Sequence, residues 1–313
     1  MKRAFTLLEL VVVIVVLGII AMMSFNAIMN IYSNYFQTRT VNELETQTEI
    51  ALEQISKRLE HRIKPSVIAR KTDGTFLALN DSGVTLAQDY EILEFIPYAY
   101  EIFNDVPSTS NKAGRYSGYA DLAKSSPSTG LISPGSNFST EVVETIKDLT
   151  CKDDTRNATC VDFTNKDGGV VAIFSDVYYN VQSSFGYSNG TVPVDLDIAK
   201  VGVKSTDGDT LEISGFANKQ ISEQYHLAYT ANAIVPEQSA DPKDTANGVF
   251  DLNLYYDYRP WMGEKYKSNG EKATLAKNVT RFVFTEKNGV IVLKLCMRAK
   301  NSEITICKSK AVY

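Results

Sequence analysis

The chain has 313 residues, of which 44% are hydrophobic, a composition that supports a substantial core and excludes wholesale disorder. Its formal net charge is −5, so no overall basic field favours nucleic acid. The two histidines, His61 and His226, lie far from each other and from every cysteine in the sequence, which gives histidine catalysis or a histidine metal site no foothold.

From Leu10 to Phe25 the run LVVVIVVLGIIAMMSF is apolar apart from Gly18 and Ser24, and beyond Glu9 no charge occurs before Arg39. A helix of about 20 such residues can cross a bilayer, so a transmembrane half is expected over roughly residues 10–30. Lys2 and Arg3 precede the run, while Arg39 and Glu43 beyond it nearly balance, which directs the N-terminus to the cytoplasm. Glu9 at the head of the run and the poor small-residue sites near Ala21 and Ala27 argue against a cleaved secretory signal, so the segment is expected to be retained. A carboxylate at the edge of a membrane span is costly unless it has a positive partner, and Glu9 therefore needs a reason.

Helical spacing continues beyond the apolar run. Val41, Leu44, Thr48, Ala51, Leu52, Ile55, Leu59 and Ile63 recur every three or four residues on one face, with Lys57, Arg58 and Glu60 off that stripe. Pro65 ends the helix, since it lacks an amide donor and restricts Lys64 before it. A helix from Thr6 to Ile63 would be roughly 87 Å long at 1.5 Å per residue. The stripe is read as core, and His61, which points away from it, as solvated.

The segment Arg3-Ala4-Phe5-Thr6-Leu7-Leu8-Glu9-Leu10 resembles the prepilin processing signature of type IV pilin-like proteins, a short basic leader followed by a phenylalanine, a glutamate and an apolar helix. The resemblance implies a leader over residues 1–4, cleavage by a prepilin peptidase between Ala4 and Phe5, and N-methylation of Phe5. Ala4 stands where glycine is usual. It further implies that Glu9 pairs with the free amine of Phe5 on a neighbouring subunit, neutralising two charges in a low-dielectric bundle. The expected architecture is α+β, with a helix over 5–64, transmembrane and then amphipathic, packed on a mainly antiparallel β domain over 65–313.

Beyond Pro65 short alternating runs are separated by Gly, Ser, Asn and Asp clusters, the mark of antiparallel β structure. Expected strands cover residues 76–79, 90–96, 170–174, 225–235 and 250–258, and in the last Phe250, Leu252, Leu254, Tyr256 and Tyr258 alternate. Residues 104–138 read as a long loop inserted within one domain, followed by a helix over 140–149. Asn288-Gly289 predicts a two-residue hairpin turn that sets Phe284 opposite Leu293 and Phe282 opposite Leu295. A further turn near Asn301-Ser302 then sets Met297 opposite Ile306 and Cys296 opposite Cys307, close enough for a bridge.

The four cysteines fall in two local pairs, Cys151 with Cys160 and Cys296 with Cys307, which suits disulfides formed in an oxidising compartment. Reduced thiols or a metal site are the alternatives for them. Asp195, Asp197 and Asp207-Gly208-Asp209 lack the spacing of a calcium loop and are read as turns, so no metal and no cofactor are expected. Tyr255, Tyr256, Tyr258 and Trp261 are read as sheet core or sheet surface rather than a binding platform. No nucleophile elbow or phosphate loop occurs, and no catalytic residue is expected.

The stretch from Ile50 to Leu59 and the β-rich end resemble W-type minor pilins and J-type minor pseudopilins. The resemblance implies a minor pilin that enters or primes a pilus filament, held in the bacterial inner membrane with its C-terminal domain periplasmic and found in the filament or at its tip after assembly. Its partners would be the prepilin peptidase, other major and minor pilins or pseudopilins, the inner-membrane assembly platform and the lipid bilayer. A minor pseudopilin of a type II secretion system is the alternative within this class. A membrane-anchored adhesin or DNA-uptake receptor is the alternative of another class, with loop 104–138 and the aromatics as contacts.

Overall fold

The strong helix formers and uninterrupted apolar spacing at the N-terminus give one long helix, α1 (Leu7–Glu60), about 80 Å in length. The computed structural model describes residues 7–84, 90–103, 116–138, 140–151, 160–187, 195–204, 208–216, 219–300 and 302–313. The predicted stripe is buried at Leu44, Thr48, Ala51, Leu52, Ile55 and Leu59, with Val41 only partly covered. The helix ends at Glu60 rather than at Pro65. Arg62 bridges to Pro97, and the amide of Ile63 donates to the Ile96 carbonyl at 2.8 Å, so the chain leaves the helix early to pair with extended backbone. Ile63 consequently packs on the opposite side of the sheet from the stripe it was expected to extend.

The described strands are β1 (Ile68–Lys71), β2 (Phe76–Ala78), β3 (Tyr90–Phe95), β4 (Leu131–Ile132), β5 (Val171–Phe174), β6 (Ala199–Val203) and β7 (Thr210–Ser214). They continue with β8 (Tyr225–Ala228), β9 (Ala231–Gln238), β10 (Phe250–Tyr258), β11 (Glu271–Lys287), β12 (Val290–Arg298) and β13 (Thr305–Val312). Two antiparallel sheets result, an eight-stranded one in the order β13-β12-β11-β10-β9-β3-β1-β2 and a five-stranded one in the order β4-β7-β6-β5-β8. The fold is therefore α+β, a long helix packed on mainly antiparallel sheet.

Helix α1 lies across β13, β12 and β11. Its stripe joins Leu252, Leu254, Phe282, Phe284, Leu293 and Leu295 in one core. The other face of the larger sheet, around β1, β3, β9 and β10, meets β5 and β8 of the smaller sheet in a second core containing Ile92, Val235, Tyr258, Ile173 and Trp261. A third core covers the outer face of the smaller sheet, where helix α2 (Tyr100–Phe103) and helix α3 (Thr140–Thr150) contribute Ile102, Val142 and Ile146.

β3 and β9 are hydrogen-bonded neighbours, with Leu93 opposite Ile234, so the whole smaller sheet is an excursion between two paired strands. The insertion is thus far larger than the predicted loop over 104–138. It leaves and returns at adjacent points, since the Ala99 amide donates to the Leu227 carbonyl at 2.7 Å. The strand expected over 225–235 is accordingly two strands, β8 and β9, in different sheets. Of the expected loop, residues 104–115 lie outside the described residues. Its remainder is tied by serine hydroxyls, as the Tyr225 hydroxyl donates to Ser133 Oγ at 2.6 Å and Ser133 Oγ donates to the Tyr119 carbonyl at 2.8 Å.

The C-terminal hairpins follow the expected register. Phe284 faces Leu293, Phe282 faces Leu295, Met297 faces Ile306 and Cys296 faces Cys307. Asn288 and Gly289 have φ of 54° and 78°, the left-handed pair that a tight hairpin turn requires. The alternation predicted in β10 does not hold to the end of the strand. Asp257 has φ of 55° and the register with β9 shifts there, so Leu252 and Leu254 face α1 while Tyr255 and Tyr258 both enter the core between the sheets.

A buried ion pair helps hold the two sheets together. Arg70 Nε donates to Glu94 at 2.7 Å, Tyr258 donates its hydroxyl proton to Glu94 at 2.9 Å, and Arg70 also donates to the Tyr187 carbonyl of the excursion at 3.2 Å. Asp195 and Asp197 are both paired with the Lys219 ammonium, at 3.1 and 2.9 Å. Asp207 lies outside the described residues. His61 is not solvated as expected, because its ring stacks on Tyr100 at 4.1 Å and its Nδ1 is 3.1 Å from the Tyr98 hydroxyl.

Ile55 is fully buried in the helix–sheet core. Ile55→Ala should lower domain stability by about 2–5 kcal/mol, measured by chemical denaturation of the β-sheet domain. His226 of β8 is mostly buried against Tyr98, and burial holds its pKa below the ordinary 6.5. In the window between those two values the unfolded chain binds more protons, so the stability tied to neutral His226 is complete above the ordinary value and is lost as pH falls through the folded one. His226→Phe should therefore flatten the decline of melting temperature as pH falls below 6.5.

Candidate functional site

Among the described residues, none covers the first half of α1. Every large hydrophobic side chain from Leu7 to Phe36 is at least 48% exposed. Water does not tolerate a continuous apolar rod of this size, so the surface belongs in lipid or against other helices. Glu9 is exposed in the first described turn of α1, where a negative charge also suits the positive end of the helix dipole. Ala4 and Phe5 lie outside the described residues.

The second half of α1 is fixed to the sheet by more than its apolar stripe. Lys308 Nζ donates to Glu49 at 2.7 Å, and Lys310 pairs with Glu53 one helical turn further on. The hydrogen bond from Lys308 holds the Glu49 carboxyl below the ordinary carboxylate value. Both lysines lie on β13, two residues apart on one face of the strand, matching glutamates four apart on one face of the helix. That dual spacing was present in the sequence and went unused.

Arg62 was also missed. Its guanidinium donates to the Leu59 carbonyl at 2.8 Å, to the Tyr313 carbonyl at 3.2 Å and to the Gly289 carbonyl at 3.0 Å. It thus satisfies a terminal carbonyl of α1 and ties the helix end to the hairpin turn and to β13. Burial lowers the Arg62 pKa, with nearby Glu286 opposing the shift. A basic residue just beyond the last turn of an amphipathic helix was the available signal.

The cysteines join in pairs, Cys151 with Cys160 beyond α3 and Cys296 with Cys307 across β12 and β13, with Cα atoms 4.3 and 4.0 Å apart. The residues 152–159 between the first pair lie outside the described residues. The two bridges stand in different sheets' surroundings and neither is brought near Glu9, so the singled-out residues do not converge on a single centre. Of the aromatic run, Tyr255, Tyr258 and Trp261 are buried, and Trp261 Nε1 donates to the Gly169 carbonyl at 3.0 Å. Only Tyr256 faces outward. Among the described residues no group of three or more His, Cys, Asp or Glu is placed to hold a metal ion.

Comparison with known families finds the prokaryotic N-terminal methylation motif over residues 1–25. No curated protein and no solved structure matches the chain. The motif implies processing by prepilin peptidase and assembly with other pilins, in proteins that are typically structural rather than enzymatic. With the apolar helix, it is consistent with a membrane-anchored pilin or pseudopilin-type protein. Heading an apolar helix whose second half is packed on antiparallel sheet, the motif supports membership of the type IV pilin-like family.

Proposed function

We propose that the chain is a minor subunit of a type IV pilus, which enters or primes the filament through α1. The observation that carries this reading is the uncovered apolar half of the helix, headed by the single carboxylate of Glu9. Before assembly that half sits in the bilayer, with the N-terminus cytoplasmic and the two-sheet domain on the periplasmic side. Removal of residues 1–4 exposes the amine of Phe5, which is then methylated. In the filament, the amine of one copy meets Glu9 of its neighbour, and each charge relieves the desolvation cost of the other.

The bulk of the domain supports a minor, tip-proximal place. Closely repeated shaft subunits must tolerate neighbours on every side, and a second sheet inserted into the first enlarges the volume that each copy occupies. The disulfides suit the oxidising periplasm.

Intact-mass and N-terminal analysis of protein purified from membranes is expected to give a methylated Phe5 as first residue; retention of Met1 would refute processing. Glu9→Ala is expected to insert normally in the membrane while incorporation into sheared filaments drops at least about tenfold, since a broken low-dielectric pair costs several kcal/mol. Wild-type incorporation of that variant would reject the pairing role.

A further inference from the structure

The face of β11, β12 and β13 that points away from α1 is open among the described residues. Phe282, Phe284, Leu293 and Leu295 lie in the core with the helix. Alternation and the observed register therefore put Arg281, Val283 and Lys287 of β11, with Val292, Lys294 and Arg298 of β12, on the opposite side. The smaller sheet covers that side only around β1, β3, β9 and β10. Val292 is 40% exposed there, and Arg281, Lys287, Cys307 and Ser309 are exposed too.

Every charged side chain on this face, from Arg281 to Lys287 and along β12 and β13, is cationic. Lys308 and Lys310 point the other way, to Glu49 and Glu53. Among the described residues Arg281, Lys287 and Lys294 form no ion pair. Arg298 reaches only Glu303, at 3.9 Å, and its Nε is buried without a hydrogen-bond partner. Lysines on an edge strand commonly serve just to deter aggregation. These cations stand on β11 and β12, inside the sheet, where no edge needs such a guard. Like charges gathered without counter-charges repel one another and favour an acidic partner.

Position and charge select the occupant. Lys294 lies opposite Ser309, beside Lys308, which meets Glu49. With a span ending near residue 30, that level is roughly 28 Å further along α1, beyond the reach of screened attraction to lipid headgroups. Nucleic acid would also meet the excursion between β3 and β9, which repels it, since residues 96–230 carry 17 Asp and Glu against 10 Lys and Arg. Residues 271–313 carry the reverse imbalance, nine Lys and Arg against three Asp and Glu. The chain therefore holds both complements on separate surfaces, which suits a heterologous contact between copies. We propose that the open basic face of β11, β12 and β13 docks on the acidic excursion of a second copy of this chain, head to tail.

The proposal rests on the filament reading only for the side-by-side arrangement of copies in one membrane, and liposomes supply that arrangement without a pilus. Isotopically heavy and light full-length protein are mixed in phosphatidylcholine liposomes, treated with a carbodiimide that joins contacting amines and carboxylates, and mapped by mass spectrometry. Links between heavy and light copies should join Lys287 or Lys294 to an Asp or Glu within residues 96–230. Their yield should fall about tenfold in Arg281→Glu, whose side chain is exposed, and likewise in about 0.5 M salt. Glu9→Ala should give the same links, so failure of the Phe5 pairing leaves this result intact. The proposal is overturned by an absence of heavy–light links, by links that start elsewhere on the chain, or by a wild-type yield in Arg281→Glu. Loss of the links on adding phosphatidylglycerol would assign the face to lipid, and loss on adding duplex DNA would assign it to nucleic acid; either outcome also overturns it.

Discussion

The structure depends on one constraint, that the apolar half of a single helix finds no cover among the described residues. The hydrophobic effect makes so long an exposed rod untenable in water, and neither sheet reaches it. The other half of the same helix is packed on the larger sheet. Its stripe from Leu44 to Leu59 lies over β11 to β13, and Arg62 closes its end against Tyr313 and Gly289. One continuous element therefore couples a surface that must leave water to a domain that must stay in it.

The two sheets do not share a single core. Helix and smaller sheet cover opposite faces of the larger sheet and are offset along it, the helix over β11 to β13 and the smaller sheet over the side nearer β10 and β1. The Arg70–Glu94 pair and the Tyr258 hydroxyl lie where the sheets meet, and each polar group there has a partner. Such a cluster specifies how the layers dock, because misplacement would leave a charge buried alone.

The sequence was most informative where local rules act without competition. Apolar spacing located α1, the Asn288-Gly289 turn fixed the register of β11 against β12, and the further turn near Asn301-Ser302 set Cys296 opposite Cys307, because a strand's faces are determined once its turn is known. The excursion was not legible, since pairing of β3 with β9 joins residues that no local pattern connects. Its two crossings fall in runs that look continuous, which is why 225–235 read as one strand. Tyr256 and Tyr258 appeared equivalent for a related reason: a bulge reverses the alternation without altering the residues that spell it.

The paired contacts between helix and edge strand have a mechanical meaning. Glu49 and Glu53 succeed one another along the axis of α1, and Lys308 and Lys310 succeed one another along β13. A pull along the rod loads both ion pairs and the apolar seam in shear at the same time, so the load is shared and no contact is peeled open before the next. The Cys296–Cys307 bridge stands behind them, joining β13 covalently to β12 and preventing the edge strand from being stripped from the sheet. Traction on the anchor is thereby transmitted to the body of the domain through its covalently secured margin.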